Sequence, residues 1–201
     1  MIDQRRQAVL DDINGHRLST RKLILASIQQ DWQRKYDDAS IDLKSVTPNY
    51  KVIVLDNSID SPFALTQDMV RTAKNITRGT VSLEEKAHRL FNWMTSNVEY
   101  GTAKRSNGYR NGQEVFKDRE GVCGEMTFLY VPLARVSGLE SGYVHVEIDC
   151  EGKNVSHACA RVKVERGNIL VDCAYRTFGC NHKKFAFVSD MEAQKRYESW
   201  K

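Results

Sequence analysis

The stretch "REGVCGEMTFLYVPLARVSG", Arg119 to Gly138, holds one of the five cysteines of the chain in a distinctive setting. Cys123 lies between Gly121 and Gly124, directly ahead of Phe128, Leu129, Val131, Leu133 and Ala134 at helical spacing. A thiol in the first turn of a helix faces unpaired backbone N–H groups and the positive end of the helix dipole. Both favour the thiolate, which is the nucleophilic form. Such a nucleophile needs a base, and a candidate follows downstream. In "SHACARVKV", Ala158, Ala160, Val162 and Val164 form one strand face, while His157, Cys159 and Arg161 form the other. In "ILVDCAY", Asp172 is an acid embedded in an apolar run. Antiparallel pairing through a tight turn can bring it near His157, and an imidazole N–H suits a buried carboxylate. The order Cys123, His157, Asp172 then supplies nucleophile, base and orienting acid for acyl transfer.

These side chains need elements to position them. "VSLEEKAHRLFNWMTSNVEYG" opens with Ser82 and carries Glu85 three residues later, which is a capping box. Leu83, Ala87, Leu90, Phe91, Met94 and Val98 give this helix a packing face, with His88 on the surface and Trp93 a core residue. "GTAKRSNGYRNGQ", Gly101 to Gln113, reads as a loop and candidate cleft wall. Pro132 should kink the cysteine helix and Gly138 end it, while Gly121 and Gly124 would let a substrate carbonyl approach the backbone. Turns at Glu151–Asn154 and Glu165–Asn168 divide the following stretch into three strands. His145 falls on the outer face of the first and Cys150 at a turn, while Tyr175 either supports the site or caps the sheet, the latter favoured. "HKKFAFVSDMEAQKRYESWK" adds a final strand and an amphipathic tail.

Upstream, helices are expected over residues 3–14 and from Ser19 or Thr20 through Trp32, a short strand over Asn49–Asp56, and a helix in "TQDMVRTAKNIT". Two units follow: a mainly helical extension over 1–62 and a core over 63–201. The 201 residues are 41% hydrophobic and 28% charged, an ordinary globular composition with enough chain for one sizeable core. A net charge of +4 from dispersed cations demands no nucleic-acid partner. The start "MIDQRRQAVLDD" has no apolar signal core and no run is long enough for a membrane span, so a cytoplasmic protein is expected. Five cysteines without a CxxC pair suit reduced thiols. Cys173, Cys180 and His182 lack metal-site spacing, so neither metal nor cofactor is expected.

Taken together, "NVEYG", "EVFKDREGVCGEMTFLYVPLARVSGL", "SHACARV" and "ILVDCAY" resemble the transglutaminase-like superfamily, a branch of the papain-like cysteine enzymes, from about Leu83 to Gly179. That family places a cysteine in a turn opening a helix, a histidine beginning a strand and an aspartate on the next; Cys123, His157 and Asp172 match these positions in order. Cys159 after "HA", Cys173 after the aspartate and Pro132 within the cysteine helix depart from the family's usual residues.

The resemblance implies an α+β fold in which the cysteine helix packs on an antiparallel sheet, with N-terminal helices alongside. It also implies a thioester route on peptide or glutamine amide bonds, with a protein or peptide as substrate. The backbone N–H of Cys123 is the natural oxyanion donor, and Gln113, Trp93 and Tyr100 are candidates for the second, with Cys159 a candidate for the cleft lining. Water as acceptor makes a protease or deamidase, which is the leading reading. A lysine amine makes a crosslinking transglutaminase, and loss of turnover leaves a peptide-binding module. Substrate identity and oligomeric state have no signature in these residues.

Overall fold

The computed structural model describes residues 61–101 and 109–200. The expected elements between residues 3 and 56, and the boundary near residue 62, lie outside the described residues or at their edge. Helix α1 (Gln67–Thr77) starts at Thr66, whose hydroxyl accepts the Met69 N–H at 3.2 Å. Helix α2 (Leu83–Asn97) starts at Ser82, whose hydroxyl accepts the Glu85 N–H at 3.3 Å. The expected reciprocal bond from Glu85 is not made. Its carboxylate turns to Arg89 one helical turn on, and Glu165 accepts the Leu83 and Glu84 N–H groups instead. A distant turn has replaced half of a local cap.

The chain then forms β1 (Glu99–Tyr100), helix α3 (Gly112–Asp118), β2 (Glu120–Gly121) and helix α4 (Cys123–Val136). β1 and β2 pair in parallel, setting Tyr100 opposite Gly121 and hence beside the start of α4. A five-stranded antiparallel sheet follows, from β3 (Glu140–Ile148), β4 (Asn154–Val164), β5 (Gly167–Asp172), β6 (Thr177–Phe178) and β7 (Lys184–Val188). Its order is β6-β5-β4-β3-β7, and helix α5 (Asp190–Ser199) closes the chain. This is the expected α+β arrangement of a cysteine-bearing helix on an antiparallel sheet. No helix among the described residues is long and apolar enough to cross a membrane.

α4 is the centre of the core. Phe128, Leu129, Tyr130, Val131, Leu133 and Ala134 are all fully buried, so the helix has no solvent face. Ala158, Ala160 and Val162 of β4 pack in the same cluster, as the strand alternation predicts. On the opposite face Cys159 joins Val144, Val146, Leu170 and Cys180 in a second, smaller cluster. The segment 179–183, between β6 and β7, covers that face from one sheet edge to the other. Cys180 N–H bonds the Leu170 carbonyl at 3.2 Å and Lys183 N–H the Ile148 carbonyl at 3.0 Å.

Three details fix where α4 begins and ends. Gly138, at φ +82°, takes the left-handed turn after the helix, and the Leu139 N–H returns to the Ala134 carbonyl at 3.0 Å. Pro132 lies inside the helix and offers no N–H to the Phe128 carbonyl. Gly112 packs against that same carbonyl: a Cβ there would lie 2.5 Å from it. At the N-terminus, Glu125 is buried and accepts the N–H groups of Val122 at 3.0 Å and Arg110 at 2.7 Å. Its carboxylate also meets the buried Arg110 guanidinium at 3.0 Å.

Two stability outcomes follow from these contacts. Gly112→Ala should lower the unfolding free energy by about 1–3 kcal/mol, because backbone rather than a flexible side chain must give way. Glu125→Ala should cost about 2–4 kcal/mol by leaving two backbone N–H groups without an acceptor and the buried Arg110 charge with only the longer pairs to Asp118 at 3.6 Å and Glu120 at 3.7 Å. Urea denaturation of each variant against the wild type measures both, and a loss below about 0.5 kcal/mol in either would refute the corresponding packing role.

Candidate active site

Cys123 is the first residue of α4, with Val122 as the N-cap residue. It is half-buried, whereas Cys159, Cys173 and Cys180 are buried and Cys150 is exposed. Gly121 and Gly124, expected to admit a substrate, face inward instead. A Cβ on Gly124 would meet the Tyr143 hydroxyl and the Trp200 ring, and one on Gly121 the side chains of Glu125 and Val115. They are small because α4 packs tightly at its start.

β4 carries His157 opposite Val146 of β3, and β5 carries Val171 opposite Ala160. Continuing that ladder puts Asp172 opposite Cys159 and diagonal to His157 on the same face, within reach of an imidazole. The His157 Nε2 stands 2.6 Å from Asp172 Oδ2. With Nε2 donating to the carboxylate, Nδ1 is the ring nitrogen left for the thiol, and Cys123 lies close enough to act on the charge of the His157 ring. Of the three residues named from the sequence, His157 and Asp172 are bonded directly and Cys123 stands beside His157. Burial works against the His157 cation, but the Asp172 hydrogen bond and the charges of Asp172 and Cys123 outweigh it and push its pKa up to about 9.

Further residues surround the trio. Tyr175, for which capping the sheet was favoured over supporting the site, stacks on the His157 ring at 4.4 Å between centroids and donates its N–H to Asp172 Oδ1 at 2.9 Å. Its hydroxyl donates to Asp149 Oδ2 at 3.2 Å, and burial, then the Asp149 charge, pushes its pKa up to about 12. His182 places Nε2 3.0 Å from Asp172 Oδ2, the oxygen that His157 also uses. His157, Asp172 and His182 are buried and present metal-ligating atoms within 4.8 Å of one another, yet both imidazoles already turn their Nε2 to one oxygen. Cys173 packs in the main core and Cys180 in the second cluster, so these two thiols do not converge with His182 on one centre.

The other candidates separate cleanly. Tyr100 is at the site: its hydroxyl lies by the Cys123 thiol and backbone N–H, close enough to feel both. Burial and then the nearby Cys123 charge raise the Tyr100 pKa, while that N–H acts in the opposite sense. Tyr109, outside the sequence-based candidates, also feels the Cys123 charge and packs on Trp200 with centroids 4.1 Å apart. Trp93 packs away, stacked on Phe116 with Arg119 over its ring. Gln113 lies in the first turn of α3 with a buried Nε2 that has no hydrogen-bond partner among the described residues. Cys159, a candidate for the cleft lining, is only 1% exposed and packs with Cys180 in the second cluster, so it presents no surface to a cleft. The neighbouring Cys180 thiol and burial raise its pKa. His145, expected on the outer face, shares the Tyr143 side of β3 and meets Arg196 and Glu147 rather than Cys123.

The family model of the transglutaminase-like superfamily matches residues 70–173, from α1 to the residue after Asp172. The chain belongs to the transglutaminase-like superfamily. Among solved structures, a candidate cysteine protease from Cytophaga hutchinsonii is 19% identical, with a TM-score of 0.51 over 73% of this chain and 53% of that one. This likeness concerns the fold. A candidate protease from Parabacteroides distasonis is 14% identical with a TM-score of 0.43, over 52% of this chain and 23% of that one. A TGase is 18% identical with a TM-score of 0.38, over 62% of this chain and 34% of that one. The chain thus spans about half, or less, of the length of each of these relatives. No curated protein matches it.

The elevated His157 pKa has a definite sign in pH dependence. A free imidazole loses its proton near ~6.5, whereas His157 holds it to about 9. The associated stability is present in full below ~6.5 and is lost as pH rises through the folded value. In Asp172→Asn the carboxylate is gone, so the His157 titration should fall toward the ordinary imidazole range and the alkaline loss of stability should shrink. Imidazole NMR titration, with urea denaturation at pH ~6 and ~10, measures both. An unchanged His157 titration in the variant would exclude Asp172 as the cause.

Proposed function

We propose that the chain is a cysteine-dependent acyl-transfer enzyme acting on peptide or glutamine amide bonds, with hydrolysis as its principal outcome. The observation that carries this reading is the contact chain from the helix-start thiol of Cys123 through His157 to Asp172. A binding module that had merely kept the fold would have no need of it.

In this reading His157 Nδ1 takes the thiol proton, giving a thiolate–imidazolium pair beside the α4 N-terminus. Asp172 holds the Nε2–H and stabilises the ring cation. The thiolate sulfur attacks the amide carbonyl carbon, and the carbonyl π-electrons move onto oxygen. That oxygen accepts the Cys123 backbone N–H, beside the Tyr100 hydroxyl. Collapse breaks the C–N bond, and the leaving amine or ammonia carries off the proton from Nδ1. Water, deprotonated by His157, then attacks the thioester and returns Cys123 as leaving thiolate. An amine in place of water would give crosslinking by the same steps, so the acceptor alone separates the two outcomes. Tyr100, Tyr109 and Tyr175 border the reacting groups and suit an extended peptide rather than a small charged metabolite.

The test combines a peptide library, an added primary amine and mass spectrometry. Backbone cleavage, conversion of Gln to Glu, and amine incorporation are distinguishable products. Activity should fall by at least ~1,000-fold in Cys123→Ala and His157→Ala, and iodoacetamide should label Cys123 faster in wild type than in His157→Ala. Equal labelling in both, with no product from any peptide, would overturn the proposal.

A further inference from the structure

His182 lies beyond the residues matched by the family model, in the segment between β6 and β7. The proposed Cys–His–Asp chemistry has no use for it. Its setting is nevertheless unusual. The side chain has no exposed surface, and its Nε2 stands 3.0 Å from Asp172 Oδ2. Its Nδ1 is buried without a hydrogen-bond partner. Buried polar atoms of native proteins are nearly always paired, so one left bare asks for a reason. Among the described residues Asp172 is the only hydrogen-bond partner of the ring, and it is met at Nε2, so only the Nε2–H tautomer donates to this carboxylate. That choice leaves Nδ1 as a bare lone pair, which is what the burial shows.

Asp172 therefore receives three N–H groups: Tyr175 N–H on Oδ1, and the Nε2–H groups of both histidines on Oδ2. Two of these donors cannot easily move. Tyr175 N–H is backbone, and His182 is held between Cys180, tied to the Leu170 carbonyl, and Lys183, tied to the Ile148 carbonyl. His157 alone exchanges a proton with another group in the proposed reaction. The two other donors keep the carboxylate in one rotamer while His157 cycles between neutral and charged forms.

We propose that His182 is a positioning residue, donating its Nε2–H to Asp172 Oδ2 so that the carboxylate stays aligned with the His157 ring. The inference rests on the acyl-transfer reading for its purpose, but on the hydrogen-bond geometry for its content. It adds a fourth member to the Cys123–His157–Asp172 chain, one that touches no substrate. The groups facing His157 are Cys123 from α4, Asp172 from β5, Tyr175 following it, and His182 from the segment before β7.

The experiment has three arms. Nitrogen-15 NMR of the wild-type imidazoles should show neutral His182 as the Nε2–H tautomer; an Nδ1–H tautomer would overturn the proposal without any mutation. His182→Leu removes the donor, and His182→Gln keeps an N–H at similar reach. In His182→Leu the His157 titration should move down from about 9, and iodoacetamide labelling of Cys123 at pH ~7 should slow by ~10- to 100-fold. His182→Gln should recover most of both. If both variants fold by circular dichroism and His182→Leu matches wild type, or His182→Gln fails as fully as His182→Leu, the positioning role is refuted. Tight Zn²⁺ binding by the chelator-treated chain, lost in His182→Leu, would make the three residues a metal site and overturn it also. The NMR arms read His157 and His182 whether or not any peptide is turned over. An inert Cys123 would thus sink the acyl-transfer reading while these arms still decide the role of His182.

Discussion

The buried contact between Glu125 and Arg110 governs how the site is assembled. One carboxylate, almost wholly removed from solvent, takes the Arg110 guanidinium, the Arg110 backbone N–H and the N–H of Val122. An ionised group in that position is tolerable only because every partner is in place. The result is that the segment arriving at α3 and the residue preceding Cys123 are anchored to the same two oxygens. The first turn of α4 cannot shift without uncovering a charge. Reactive geometry at Cys123 is thereby set one turn below it, by residues that play no part in the chemistry.

The sheet solves the opposite problem, that of exposing chemistry without losing core. Its inner face is given to Ala158, Ala160 and Val162 against α4, and its outer face to His157 and Asp172. An outer face left open would put the His157–Asp172 pair in water, where such a bond contributes little. The segment 179–183 covers it, bringing Cys180 over the second cluster and His182 over the carboxylate. Tyr175 shields the other side of the His157 ring. A low-dielectric surround strengthens each of these bonds and raises the cost of leaving any of them unmade.

Local patterns made much of this readable. Alternation in β4 separated the core face from the His157 face, and periodicity placed Cys123 at a helix start. Order along the chain then associated Asp172 with both. What stayed hidden depends on distant partners. Nothing near Glu165 announces that it caps α2, and nothing around Arg110 marks it as the mate of Glu125. His182 looked like an adjunct of nearby cysteines because Asp172 becomes its neighbour only through the path of the chain between the two sheet edges. Tyr175 was favoured as a sheet cap since its ring stacking arises from a turn that alternation does not describe. Gly121 and Gly124 carried a real signal, close approach, but its object was Tyr143, Trp200 and Glu125 rather than a ligand. The domain division and the residues before 61 fall outside what the described fold addresses.

The proline in the cysteine helix has a consequence for how the sequence can vary. Pro132 strips the Phe128 carbonyl of its helical donor, and Gly112 on another helix rests against that carbonyl. Positions 112 and 132 therefore share one packing constraint, the Phe128 carbonyl. A residue with an N–H at 132 would reclaim the carbonyl and draw the helix turn closed, changing the surface that a glycine at 112 was fitted to. Drift at either site should be conditional on the other, so that paired changes persist among descendants of this chain where single ones are lost.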